Sequence, residues 1–311
     1  IDLNAATSDD LILKRKENIL YYNDDVESSY TNFSISASAK YNFNKNWALG
    51  LTLGRGVRSP DMTERYIILL PIGYDPYDYL GNPQLEPEAN NEIDLDAEFI
   101  NEKIGGFNAV VFFSYVQNYI LGMYVPPSEV KPQTKGVLGV KQFTNEDYVF
   151  LTGFEFAYQS PVQNDWGLRA SVAYTAGVNP DAEGLIWENG EVVDKETIRY
   201  DPLPEIPPLE SNISFNYRLL KNKLIPEIAL RLVAAQKRVS QAYDEEKTPG
   251  FATMDIKIAY HFNNNFDIIG CVTNLLNNSY YEHLNRRIIG GANQNLYEPG
   301  RVFYINLIFS I

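Results

Sequence analysis

A disulfide within this sequence is excluded at the outset, because it holds a single cysteine, Cys271, which falls inside a predicted strand and reads as a small buried filler. Histidine is almost as scarce: His261 and His283 stand far apart, with no Cys/His spacing for zinc and no Gly-x-Ser-x-Gly or comparable nucleophile beside them. A catalytic triad therefore has no candidates, and the chain reads as not an enzyme and as needing no cofactor. Long apolar runs are missing too, since charged or amide residues interrupt every hydrophobic stretch before the roughly 18 residues that a helical span requires. That excludes helical membrane proteins but leaves open a transmembrane barrel, whose strands need apolar character only at every second position. Positive charge is in deficit, with a formal net charge of -14, so the basic footprint of a nucleic-acid partner is absent. No initiator Met or basic-then-apolar leader precedes Ile1-Asp2-Leu3, and the expectation is that processing or truncation removed what came before.

Period-2 alternation is abundant. From Asn32 to Phe43 one face carries Phe33, Ile35, Ala37, Ala39, Tyr41 and Phe43, and the other carries Ser34, Ser36, Ser38 and Lys40. From Glu92 to Phe99 an apolar face of Ile93, Leu95, Ala97 and Phe99 opposes four acids, Glu92, Asp94, Asp96 and Glu98. The last segment sets Phe303, Ile305, Leu307, Phe309 and Ile311 against Tyr304, Asn306, Ile308 and Ser310. Strands are expected near 31–43, 46–57, 91–101, 106–121, 145–160, 166–178, 210–220, 223–236, 251–262, 266–274 and 302–311, with a further one possible in 11–22. The fold class is all-β, with eleven or twelve strands. Short turns at 44–45, 102–105, 161–165, 221–222 and 263–265 alternate with long connections near 58–90, 122–144, 179–209, 237–250 and 275–301. Sorting of this kind belongs to outer-membrane barrels, which place short turns on the periplasmic rim and long loops outside. Tyr41, Phe43, Trp47, Phe99, Phe107, Tyr158, Trp166, Tyr217, Phe262 and Phe266 cluster beside the short turns, as an interfacial aromatic girdle would.

Five strings then resemble the TonB-dependent outer-membrane receptors. They are Gly54 to Tyr66 (GRGVRSPDMTERY), Gly81 to Glu88 (GNPQLEPE), Leu203 to Glu210 (LPEIPPLE), Val272 to Tyr281 (VTNLLNNSYY) and Pro299 to Ile311 (PGRVFYINLIFSI). Their prolines forbid ladder donation and fix bends, so the boxes read as mainly architectural. The resemblance implies a 22-stranded barrel with a plugged lumen, of which 31–311 would be the carboxy-terminal wall and 1–30 a loop and possible strand leading into it. The last residue, Ile311, departs from the terminal aromatic usual in the family.

The resemblance also implies active import of a scarce nutrient across the outer membrane, powered through TonB acting on a plug absent from this sequence. Partners implied are TonB, outer-membrane lipid and lipopolysaccharide, and a small-molecule ligand, with a ferric siderophore or similar metal chelate as the default because such ligands are commonest in the family. A passive porin or adhesin-type barrel is the alternative. Lys40, Asp94, Asp96, Glu98, Arg169 and Arg218 are expected to face the lumen or plug, and Tyr66, Tyr74, Tyr77 and Tyr79 in the 58–90 loop are candidate ligand platforms, with loop self-packing an equal alternative. Residues 58–84 lack the His that haem receptors of the family carry there, and Met62, Met123 and Met254 are too dispersed for a soft copper site, so no metal-ligating residue is assigned. Acids in the outer loops, among them Asp181, Glu183, Asp244, Glu245 and Glu246, read first as solubility, and otherwise as attraction for cations or as bridges to lipopolysaccharide.

Overall fold

The computed structural model describes residues 28–73, 75–126, 130–188, 191–263, 265–285, 287–288 and 294–309. Strands β1 (Ile35–Asn42) and β2 (Trp47–Arg58) form the first hairpin. A one-turn helix α1 (Met62–Tyr66) and two short strands, β3 (Ile68–Leu70) and β4 (Tyr77–Leu80), lie between β2 and β5 (Glu88–Asn101). Then come β6 (Gly105–Val125), β7 (Gly139–Gln159), β8 (Trp166–Glu188), β9 (Glu191–Pro202), β10 (Glu210–Tyr217), β11 (Leu224–Val233), β12 (Phe251–Asn263) and β13 (Phe266–Thr273). The two-residue strands β14 (Arg287–Ile288) and β15 (Gln294–Asn295) pair with each other before β16 (Val302–Phe309). The principal path runs β1-β2-β5-β6-β7-β8-β10-β11-β12-β13-β16, every neighbour antiparallel. These eleven strands are the expected set, whereas the possible strand in 11–22 falls outside the described residues.

Register keeps the two faces apart over the whole sheet, because partners across an antiparallel ladder share a side. Leu51 opposes Ala39 and Leu95, which in turn opposes Val111, and Leu307 opposes Ile268. Among the described residues nothing covers the apolar side: Ile305 is 72% exposed and Phe309 70%. Burying such a side chain is worth about 1.5–3 kcal/mol, and so continuous an apolar surface is far larger than a water-soluble monomer tolerates. Near the short turns this face carries a belt of touching rings. Trp47 to Phe99 is 4.7 Å, Phe99 to Phe107 5.8 Å, Phe107 to Tyr158 4.8 Å, and Phe266 to Phe309 4.6 Å between centroids.

Away from that belt, at the rim of the long connections, the strands run further than the alternation suggests. β6 and β7 stay paired out to Val125 and Val140, and β8 forms a hairpin with β9 out to Glu188 and Glu191, so much of 122–144 and 179–209 is ladder and not loop. Here both faces meet protein or water, and the period-2 signal disappears: Gly139, Val140, Lys141, Gln142 and Phe143 are all buried. β4 adds to the other edge of β7 in parallel, Tyr79 opposite Lys141. Three apolar clusters pack at this rim, built on Leu69, Leu80 and Val140, on Tyr79, Leu85 and Phe143, and on Val116, Val149 and Leu203. The protein's core therefore sits in a cap over the polar face of the sheet.

Candidate ligand-binding site

The 58–90 connection is held at its base by two of the quoted strings. Asp61 and Glu64 form a capping box on α1: Glu64 N donates to Asp61 Oδ1 (2.8 Å) and Asp61 N to Glu64 Oε2 (2.7 Å). Arg58 then grips Glu64 with both terminal nitrogens (2.9 Å each) and Glu88 through Nε (2.6 Å). Gly81 passes so close to α1 that a Cβ there would lie 2.5 Å from Arg65 C and Tyr66 N. The Arg-Ser-Pro and Gly-Asn-Pro strings are thus one clamp, closed by side-chain charge and by a missing side chain.

Above the clamp, segments from all five long connections converge. Lys141, 1% exposed in its side chain, donates to Asp75 Oδ2 at 2.6 Å and to the Tyr243 carbonyl at 2.9 Å. Its ammonium lies 4.3 Å from the Tyr77 ring centroid and 3.2 Å from that of Tyr243. The Tyr79 and Tyr243 hydroxyls are 2.6 Å apart, and Tyr79 also donates to Asp75 at 3.0 Å. Tyr77 donates to Asp244 at 2.8 Å, and Tyr243 to Glu205 at 3.3 Å. His283 is fixed between Thr248 and Glu245, each at 3.1 Å, while Glu245 also accepts from the Glu205 amide at 2.6 Å. Asp201 orders the 237–250 connection by accepting from Ser240 Oγ and from the Gln241 and Ala242 amides.

Burial dominates the electrostatics. Desolvation lowers the Lys141 pKa against the pull of Asp75, and raises Tyr79 and Tyr243 well above the usual phenol value. Glu205 is raised by burial and next by the charge of Asp75. Beside this network lies a cavity of about 230 Å³, whose wall includes Tyr77, Lys141, Tyr243, Tyr281 and His283.

The family model for the TonB-dependent receptor-like β-barrel matches residues 11–275. This chain belongs to that family. Its members are transport receptors of the Gram-negative outer membrane, so the apolar face of the sheet is the lipid face and the polar face lines the lumen. Among curated proteins the chain is similar to the ferric enterobactin receptor PirA of Pseudomonas aeruginosa, at 21% identity over 238 residues, which is 74% of this chain and 29% of that protein. Among solved structures it resembles the copper transporter OprC (TM-score 0.69, 24% identity, covering 89% of this chain and 40% of that one). It also resembles the ferric enterobactin receptor PfeA of Pseudomonas aeruginosa (TM-score 0.61, 16% identity, covering 90% and 40%). The chain spans well under half the length of each relative.

Lys40, Asp94, Asp96, Glu98 and Arg169 lie on the polar side of their strands. Lys40 pairs with Glu98, and Arg169 with Glu227 at 3.1 Å, while Asp94 and Asp96 share their strand face with Glu98. Arg218 follows the last residue of β10, and its guanidinium donates to the Val162 and Asn164 carbonyls across the short 161–165 turn. Among the tyrosines, Tyr66 lies beneath the Arg65 guanidinium at 4.7 Å, and Tyr74 lies outside the described residues. Tyr77 is 4% exposed but borders the cavity, whereas Tyr79, at 1%, is enclosed by the cap. Met62, Met123 and Met254 sit on three separate elements. Lys141, Asp75, Glu205 and Tyr243 were not legible as a site; the one available signal was a lysine inside the apolar run Val137 to Phe143.

Proposed function

We propose that the receptor built on this wall and cap binds a scarce metal chelate at the cap and imports it by TonB-driven displacement of a plug. The observation that carries this reading is the convergence of five long connections on one partly open, aromatic-walled cavity above the polar face of the sheet. A passive pore gains nothing from such a walled vestibule, while a receptor that captures a dilute ligand needs one. The names of the relatives, ferric enterobactin receptors and a copper transporter, support a metal chelate as cargo, with a ferric siderophore as the default. The outer membrane offers no ATP, so uptake against a gradient draws on force from the inner membrane.

The test compares cells with and without TonB, each producing the full receptor and supplied with radioactive iron or copper as chelates. Cell-surface binding is expected in both strains and accumulation only where TonB is present. Equal accumulation without TonB contradicts active import and points to a passive porin.

A further inference from the structure

Resting on that reading, we propose that the side chains of Tyr243 and Glu205 form a movable partition in the cap, through which cargo held in the outer cavity passes to a second cavity nearer the wall. The second cavity has a volume of about 430 Å³ and is bordered by Thr63 of α1, by Tyr119 and Gly122 of β6, and by Tyr79. That volume falls within the roughly 300–1,000 Å³ of pockets that take small ligands. Along β6, Tyr119 and Gly122 precede Tyr124, the partner of Lys141, so this cavity lies closer to the wall than the one that Lys141 borders. Among the described residues, Tyr243 and Glu205 are the two that border both. Tyr243 is held differently from the tyrosines beside it. Tyr77 and Tyr79 belong to the apolar cluster with Leu85, Ile120 and Phe143, whereas Tyr243 belongs to none of the three clusters. Its side chain is retained by single polar contacts with the Tyr79 hydroxyl, the Glu205 carboxylate and the Lys141 ammonium, while its amide is anchored to Ser240 Oγ at 3.0 Å. Each such contact is modest in net worth, so the side chain can swing without repacking a core. Glu205 supplies an independent sign. It is a non-glycine residue at φ 60°, a left-handed conformation kept by its amide bond to Glu245, and backbone held in this way gathers at switch and clamp positions. Beyond the partition, Tyr119 has a hydroxyl that makes no hydrogen bond among the described residues, a polar group that an occupant of the inner cavity would satisfy.

The experiment reads passage through the partition with a thiol reagent in place of cargo. The full receptor, freed of its other cysteines and produced in intact cells, carries one cysteine at a time: Leu138→Cys at the outer cavity, Thr63→Cys at the inner one, or Val130→Cys in the buried cluster of Leu69 and Leu80. A compact methanethiosulfonate bearing a quaternary ammonium is added and the labelling rate is measured. Leu138→Cys is expected to react fast, Thr63→Cys slowly and Val130→Cys not at all. Tyr243→Phe removes both hydroxyl contacts but keeps the ring, and is expected to speed labelling of Thr63→Cys about tenfold, the worth of one hydrogen bond, with the other two sites unchanged. Tyr243→Ala removes the ring as well and should speed it further. Labelling of Thr63→Cys at the same rate in Tyr243→Phe and in its parent overturns the proposal, because the reagent then arrives by another route. An equal rise at Val130→Cys also overturns it, since the cap as a whole has then loosened. Neither TonB nor a metal chelate enters this measurement, so its failure leaves TonB-dependent accumulation standing, and failure of that accumulation leaves the partition measurable.

Discussion

The membrane wall and the cap of long connections are built on opposite principles. In the wall, stability rests on backbone ladders and on lipid, and side chains such as Leu51, Leu95 and Ile305 stay exposed beside their ladder partners. In the cap, stability rests on an interior like that of a soluble domain, with Leu69, Val140 and Val149 at 1% exposure or less and a buried ion pair at its centre. A substitution is therefore tolerated or not according to the solvent its region meets. The wall asks for alternation; the cap asks for partners.

That contrast can be broken most forcefully at Lys141. Lys141→Met leaves Asp75 without its cation, and loss of one member of a buried pair costs about 3–5 kcal/mol. The cap is expected to become sensitive to protease in the 58–90 and 237–250 connections, while the barrel keeps its heat-modifiable migration on gels. In the wall, Leu51→Arg, Val111→Arg or Leu307→Arg should each cost about 2–4 kcal/mol near mid-membrane. Ser36→Arg, on the lumen face, should cost far less when refolding into bilayers is titrated with denaturant. Equal penalties on both faces would mean two buried sides and no lipid contact.

Gly122 tests packing within the cap at a smaller scale. A Cβ there would come 2.5 Å from Tyr79 Cε1, so Gly122→Ala must displace the ring that carries the Tyr243 and Asp75 hydrogen bonds. Overpacking of this kind costs about 1–3 kcal/mol. Faster hydrogen exchange is expected over 77–80 and 240–243, with the wall strands unchanged.

The mildest perturbation is pH. Glu205 faces Asp75, Lys141, Tyr243 and Glu245, and its folded pKa is raised by burial and then by Asp75. A carboxyl raised on folding contributes stability that is fully present below its unfolded value and is lost as pH rises through the folded one. Cap protection, corrected for intrinsic exchange rates, should fall over that window, and Glu205→Gln should flatten the slope. A slope of the same size in the variant would assign the effect to another group.

The same division explains what was legible in the sequence. Strands in the membrane announce themselves because lipid and lumen impose opposite chemistry on alternate residues, so Ile93-Asp94-Leu95-Asp96-Ala97 reads directly as a wall strand. The girdle is legible for a similar reason, since ring-bearing residues gather where the bilayer ends. Outside the bilayer the alternation stops. Val137 to Phe143 reads as a loop by pattern yet is mostly strand, because it pairs with the extended end of β6 on one edge and with β4, some 62 residues away, on the other, and neither pairing leaves a period-2 signal. The site suffers from the same blindness. Tyr77 and Tyr79 were visible as aromatic residues near the Asn-Pro-Gln-Leu string, but their partners Asp244 and Tyr243 lie more than 160 residues away. The clamp was visible only as two strings, and Arg58 with Glu64 and Glu88 supplies the physical link between them.

The orientation of wall and cap is open to direct measurement, because the native thiol, Cys271, can be removed and single cysteines placed at chosen sites. In a Cys271→Ala background, Leu138→Cys sits in the cap rim and Asn164→Cys in a short turn. A membrane-impermeant maleimide applied to intact cells is expected to label Leu138→Cys at once and Asn164→Cys only after the outer membrane is permeabilised. Labelling of Asn164→Cys on intact cells, with Leu138→Cys protected, would place the cap on the periplasmic side and contradict the account of a ligand site open to the outside.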